Sequence, residues 1–224
     1  MTAIIFDIDG TLIESMKIDS EIYIQAVKKV LGDVFIHDDW GKYNNVTDPG
    51  ILNQIIKENY ISEAKQKEIE VRKYFGELIS LHLRDQPCKH KKGAIEAINN
   101  LVVNPNYVVG YATGGWGHTA IMKLKSANLF NNDIPLFTGD HHHERVNIMK
   151  LCKDHISPLK NDIVYAGDAP WDLEATSKLG WGFIGIGERL KNIAEVWIAD
   201  FLDINWMEAP IKALHMIGYK GGSY

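Results

Sequence analysis

Three features of the sequence predict an α/β fold whose parallel sheet carries an inserted helical unit. The chain opens on an unbroken apolar run, Ala3-Ile4-Ile5-Phe6, of the kind found in a strand buried on both faces. From Gly93 onward, short apolar strands alternate with helical segments, a rhythm that implies parallel pairing with right-handed crossovers. Between them, residues 16–87 show helical periodicity and no convincing strand. The expected organisation is a core from residues 1–15 and 88–224, with residues 16–87 as a helical cap.

Each element follows from its own pattern. Ser15 to Leu31 reads as a helix because Ile18, Ile22, Ala26, Val27 and Val30 recur at three- and four-residue spacings, and Gly32 stops the run. An irregular segment from His37 to Thr47 contains Trp40 and Tyr43. Thr47-Asp48-Pro49 then opens a second helix, with a capping side chain followed by proline in the first turn. A third helix, Ser62 to Leu83, places Ile69, Phe75, Leu78 and Ile79 on one side.

The core resumes with a helix over Gly93–Val102, a strand over Tyr107–Ala112, a turn at Thr113-Gly114-Gly115 and a helix over Gly117–Leu129. Ile134–Phe137 is expected as a short strand and Arg145 to His155 as a helix. Asp162–Ala166 is a strand, Asp172–Leu179 a helix and Gly182–Ile186 a strand.

Composition limits the functions available. The 224 residues are 46% hydrophobic and 24% charged, which suits a folded globular chain with ample core. A formal net charge of -5 gives no general attraction to nucleic acid or anionic membrane, so neither is expected as a partner. No apolar run approaches transmembrane length, and Asp7 and Asp9 interrupt the region where a cleavable signal would be apolar. Cys88 and Cys152 stand far apart and in no metal-binding spacing, so a reducing cytoplasmic setting is expected. A monomer or homodimer is anticipated.

The chemistry is expected where strands end. Asp7 closes the first strand, Asp9 follows, and Gly10-Thr11 turns the chain. Two carboxylates beside a buried strand repel each other and lose hydration unless a cation or ligand compensates. Thr113, followed by Gly114 and Gly115, ends the next core strand and can offer a hydroxyl and backbone N–H groups to an anion, or simply cap the following helix. Asp168 and Asp172 follow another buried strand, and hard oxygen ligands of this sort suit Mg²⁺. Asp172 could equally serve as a helix N-cap.

Asp7 to Thr11, read as Asp-x-Asp-Gly-Thr after an apolar strand, resembles the first motif of the haloacid dehalogenase superfamily. Thr113 and the Gly-Asp-x-x-x-Asp run from Gly167 to Asp172 match its second and fourth motifs in order. The resemblance covers nearly the whole chain and implies a Rossmann-like core with a helical cap. It departs at the third motif, where many relatives carry a Lys before a proline. Here Gly139 to Lys150 holds no such pair, leaving Arg145 as the best-placed cation and Lys150 as second. His141, His142 and His143 are adjacent on a loop and read as a solvated turn rather than metal ligands.

The resemblance implies a Mg²⁺-dependent phosphatase acting on a small phosphorylated metabolite. Asp7 would be the nucleophile, forming an aspartyl-phosphate, and Asp9 the acid and base. Relatives that cleave halides or phosphonates generally lack this second acid. Thr113, Gly114 and Arg145 would hold the phosphoryl oxygens. The metal would be held by Asp7, Asp168 and the Asp9 backbone carbonyl, with Asp172 orienting its shell. Thr47 and Asp48, with Trp40, Tyr43 and Arg72, are the cap's candidates for choosing the leaving group. A phosphomutase and a non-catalytic ligand-binding protein on the same fold are the alternatives.

Overall fold

The computed structural model describes residues 1–156 and 162–220. The apolar opening run forms β1 (Thr2–Phe6), and β2 (Tyr107–Ala112) and β4 (Ile163–Gly167) lie on either side of it. With β3 (Leu136–Phe137), β5 (Gly182–Ile186) and β6 (Trp197–Ile198), they make a parallel six-stranded sheet in the order β3-β2-β1-β4-β5-β6. Strand order therefore reverses at β1, and open α/β sheets bind ligands in the crevice beyond such a point. The register, Phe6 beside both Tyr111 and Ala166, brings the residues just past β1, β2 and β4 to one sheet edge.

The helices of the core cover both faces: α4 (Ala94–Val103), α5 (Gly117–Ser126), α6 (Arg145–Ile156), α7 (Pro170–Leu179) and α8 (Ala209–Lys220). The inserted segment forms α1 (Met16–Leu31), α2 (Asp48–Glu58) and α3 (Ala64–Asp85), packed around their own apolar cluster that includes Ile22, Val27, Leu52 and Phe75. This is the expected helical cap.

Several boundaries differ from expectation for local reasons. The helix expected to reach Leu129 stops at Ser126, because Asn128 turns left-handed at φ 57°. The third strand is only two residues long, starting after Pro135, which has no N–H to donate. The helix expected from Asp172 begins at Pro170 and is capped at Ala169, so Asp172 stands inside the first turn and is not the N-cap. β6 and α8 were not anticipated.

One core residue belongs to the cap's interior. Trp116, just before α5, is buried to 1% exposure, stacks on Tyr23 at 5.8 Å and leans on Phe75 at 5.7 Å. Deleting a buried indole leaves a cavity that its neighbours fill only in part. Trp116→Ala is therefore expected to cost about 3–5 kcal/mol, read as a shift in denaturant midpoint. A loss under about 1 kcal/mol would mean that the two apolar clusters do not depend on this ring.

Candidate active site

Asp7 emerges from β1 with its N–H bonded to Ala166 O at 2.9 Å. The chain then turns at Gly10, whose φ of +85° disfavours any side chain, and a Cβ there would collide with the Asp168 carboxylate. Gly10 thus lets the first and fourth strand ends approach closely. Asp7, Asp168 and Asp172 each offer an oxygen, and these oxygens lie within 4.8 Å of one another. Arg145, the first residue of α6, reaches across them. Its Nη1 is 3.2 Å from Asp7 Oδ1 and 2.9 Å from Asp172 Oδ1, and its Nη2 donates to Val46 O of the cap at 3.1 Å. Arg145 Nε is buried with no protein partner, a donor available to a ligand. Lys150, the other candidate cation, lies exposed further along α6.

Three buried carboxylates against Arg145 and the exposed Arg189, 3.8 Å from Asp168, leave an excess of negative charge. Burial, then Asp172, raises Asp7 well above the usual carboxylate range. The same causes push Asp168 up to about 7. An all-oxygen, under-compensated donor set of this kind fits Mg²⁺, which takes one or two carboxylates and keeps several waters. Asp172 Oδ2 accepts from Ala169 N at 3.1 Å, while its buried Oδ1 lies 2.9 Å from Arg145 Nη1 without a hydrogen bond; Asp7 accepts from Arg145 at 3.2 Å and from the Thr11 hydroxyl at 3.4 Å. Each of the three carboxylates therefore keeps an oxygen that can face the ion, Asp7 and Asp168 from their strand ends and Asp172 from the first turn of α7. Asp168→Ala should weaken binding of Mg²⁺ alone, measured by calorimetry without substrate, and an unchanged isotherm would remove Asp168 from the metal site.

Asp9 points elsewhere. Its carboxylate lies outside the trio, accepts the Ser15 hydroxyl at 2.5 Å and sits 2.7 Å from Lys123 Nζ. Any part it takes in metal binding is thus left to its backbone carbonyl. Lys123 also lies 2.7 Å from Asp19 in the first turn of α1, and is only 2% exposed. Sequence reasoning missed this lysine. The available signal was its place on the buried stripe of α5, with Thr119, Ala120 and Leu124.

Thr113, past β2, is buried, and its Oγ1 accepts from Gly115 N at 3.2 Å. Gly114 packs so closely against the cap that an added Cβ would lie 2.7 Å from Arg145 Nη2 and 2.9 Å from Val46 O. Its carbonyl accepts from Asp48 N at 2.9 Å. The Thr47 hydroxyl caps α2 by accepting from Gly50 N at 3.1 Å and donates to His143 O at 2.7 Å. It is therefore tied to structure on both sides.

Asp48 Oδ2 accepts from Trp116 N at 2.9 Å, and burial followed by Asp19 pushes its carboxyl up to about 8. A carboxyl raised in the folded state adds stability below its unfolded pKa and loses it as pH rises through the folded value. Asp48→Asn cannot ionise, so melting curves should show a flatter pH dependence than wild type between about pH 4 and 8. Parallel curves would contradict the burial of this group.

The pocket formed by these residues is also lined by Asp9, Asp19, Tyr23, Trp40 and Trp171, with a cavity volume of about 80 Å³. That is space for several waters or one small ligand, so the cap stands close over the site. Arg72 does not line it; it pairs instead with Asp140 at 2.9 Å on the outer rim. Tyr43 is buried in the cap's own core. His141, His142 and His143 are exposed, with His141 Nδ1 accepting from Thr138 N at 3.1 Å.

The fold is shared with solved structures. A hydrolase from Pseudomonas syringae superposes with a TM-score of 0.75 at 20% identity, over 93% of this chain and 98% of that one. A beta-phosphoglucomutase from Clostridium difficile superposes with a TM-score of 0.75 at 15% identity, over 97% and 100%. A predicted phosphoglycolate phosphatase from Haemophilus somnus gives 0.61 at 18%, over 93% and 98%. At these identities the likeness is one of fold. No curated protein matches the chain in sequence. The family model for haloacid dehalogenase-like hydrolases matches residues 4–186, which span β1 through β5 with every carboxylate described above, and the chain belongs to that family.

Proposed function

We propose that the protein is a Mg²⁺-dependent phosphatase of small phosphate monoesters that works through an aspartyl-phosphate. The observation that carries this reading is the division of labour on one turn. Asp7 faces Arg145 and the other strand-end carboxylates, whereas Asp9 faces Lys123 and the cap.

A phosphate at the Asp7 end would meet Arg145 Nε, the Thr113 hydroxyl and the Gly114 N–H, donors suited to its oxygens; the Thr113 and Gly115 N–H groups are already bonded within the fold. Of the two carboxylates on the turn after β1, Asp7 is then the one placed to attack phosphorus. Asp9, two residues on, stands where a leaving oxygen would enter the cap side, and can give it a proton and later take one from water. When bound, Mg²⁺ would neutralise phosphate charge and relieve the repulsion among the carboxylates. The docked cap excludes bulk water. We place the enzyme in a reducing cytoplasmic setting, acting on a small phosphorylated metabolite.

A phosphomutase acting on a sugar bisphosphate would need a counter-charge for the second phosphate. Among the described residues lining the pocket, the only cation is Arg145, which serves the Asp7 end, while Asp19 and Asp48 face the leaving-group side. A buried, unpaired anion there costs at least ~1.4 kcal/mol, so sugar bisphosphates and 2-phosphoglycolate should fall about tenfold or more below esters of neutral or cationic alcohols in kcat/KM.

A panel of phosphate esters assayed for phosphate release with Mg²⁺, wild type against Asp7→Asn, tests both points. Silence across the panel would overturn the phosphatase reading. A preference for the bisphosphates would favour the mutase.

A further inference from the structure

Lys123 has no part in the mechanism above, yet it is the most deeply placed cation near the site. It sits at 2% exposure on α5, a helix whose lysines would ordinarily face water, with its ammonium 2.7 Å from both Asp9 and Asp19. A buried ammonium is tolerated only where carboxylates compensate it. The pair with Asp19 alone would tie the core to the first cap helix. The second contact, to the carboxylate expected to move the proton, is more than docking requires.

Resting on the phosphatase reading, we infer that Lys123 is a positioning residue for Asp9. It fixes the carboxyl on the leaving-group side of Asp7 and stabilises the carboxylate formed when its proton has gone. As the bridging P–O bond breaks, the electron pair stays on the leaving oxygen. The Asp9 O–H bond breaks, its proton forms the new alcohol O–H, and the negative charge appears on Asp9 directly opposite the Lys123 ammonium. Ser15 holds the other side of the carboxyl at 2.5 Å. Ser15 stands at the N-terminus of α1 and Asp19 in that helix's first turn, so the same lysine links proton transfer to the seating of the cap. The ammonium is held strongly in its charged form, Asp19, Asp9 and Asp48 together outweighing its burial.

A purely structural lysine would affect every substrate alike; one acting through Asp9 would not. The test compares p-nitrophenyl phosphate with the alkyl phosphate turned over fastest in the panel. Aryl oxides leave with little help from a proton, whereas alkoxides need one.

In Lys123→Gln, kcat for the alkyl ester should fall about tenfold, a share of the roughly 10²–10⁴-fold that general acid–base catalysis supplies, with the aryl ester changed less than about threefold. Gln leaves Asp19 unpaired and could loosen the fold. The charge-balanced Lys123→Met with Asp19→Asn removes both partners and should show the same alkyl-selective loss. In an Asp9→Asn background, Lys123→Gln should bring no further alkyl-selective loss, the non-additivity expected of residues acting as a unit. Equal losses for both esters in the charge-balanced protein, or full additivity with Asp9→Asn, would overturn the inference while leaving the phosphatase reading intact. A wild-type enzyme that hydrolyses neither ester overturns the reading itself.

Discussion

Asp7→Asn is expected to yield a folded protein that never acquires a phosphoryl group. The amide oxygen is a poor nucleophile, and the other carboxylate of this turn, Asp9, faces Lys123 instead. Loss of a covalent nucleophile costs on the order of 10⁶ in kcat where it has been dissected. Stability should move the other way. Asp7 is 4% exposed, and burial, then Asp172, drives its carboxyl upward against the pull of Arg145. A group raised in this way adds stability at low pH and loses it as pH rises, so this carboxyl weighs against the fold increasingly toward alkaline pH. Asparagine does not ionise, and the variant should melt above wild type at pH 8 in the absence of metal. Such an exchange of activity for stability is expected where charges are crowded for chemistry. An inactive variant that also melts lower would assign Asp7 a structural role instead.

Much of this site could be read before the fold was known, for a physical reason. An aspartate directly after Ala3-Ile4-Ile5-Phe6 has no place in a buried strand except at its end, and parallel strands all end on the same side. Asp7, Thr113 and Asp168 could therefore be placed together from sequence, and they lie past three neighbouring strands. Arg145 was legible only as the cation in the right interval, and its contact with both Asp7 and Asp172 is what sets it apart from exposed Lys150.

Lys123 was not legible, because a lysine in a Met-Lys-Leu-Lys run reads as solvated. Only the convergence of Asp9 and Asp19, 10 residues apart in sequence and on different elements, makes it a buried one. β6 escaped because two residues carry no period. α8 escaped because the side it buries is built on Ala209 and Ala213, while Ile211 faces out. Asp172 illustrates the opposite error. A proline-led first turn moved the cap to Ala169, and the acid became a bridge between that cap and Arg145.

Asp9→Asn should separate the two acids of the opening turn. The variant keeps Asp7, Arg145 and the trio of strand-end carboxylates, so attack on phosphorus remains possible. On the mechanism proposed above, it removes the proton donor for the leaving oxygen and the base for the water that follows. That loss is worth about 10²–10⁴-fold for alkyl phosphates. With aryl phosphates the first step should persist, because the leaving oxide is stable without a proton. Hydrolysis of the intermediate would still lack its base, so aspartyl-phosphate should build up. Rapid quench followed by intact-protein mass measurement should show a phosphate-mass adduct in Asp9→Asn that is absent from Asp7→Asn. The surroundings of Asp9 sharpen the expectation. Asn can still accept from Ser15, so the turn should hold, but it gives Lys123 only a neutral partner beside Asp19. The adduct should therefore appear in a protein of near-native fold by circular dichroism. Equal losses for aryl and alkyl esters with no adduct would mean that Asp9 does not move the proton. The Lys123 contact would then have to be explained by cap docking alone.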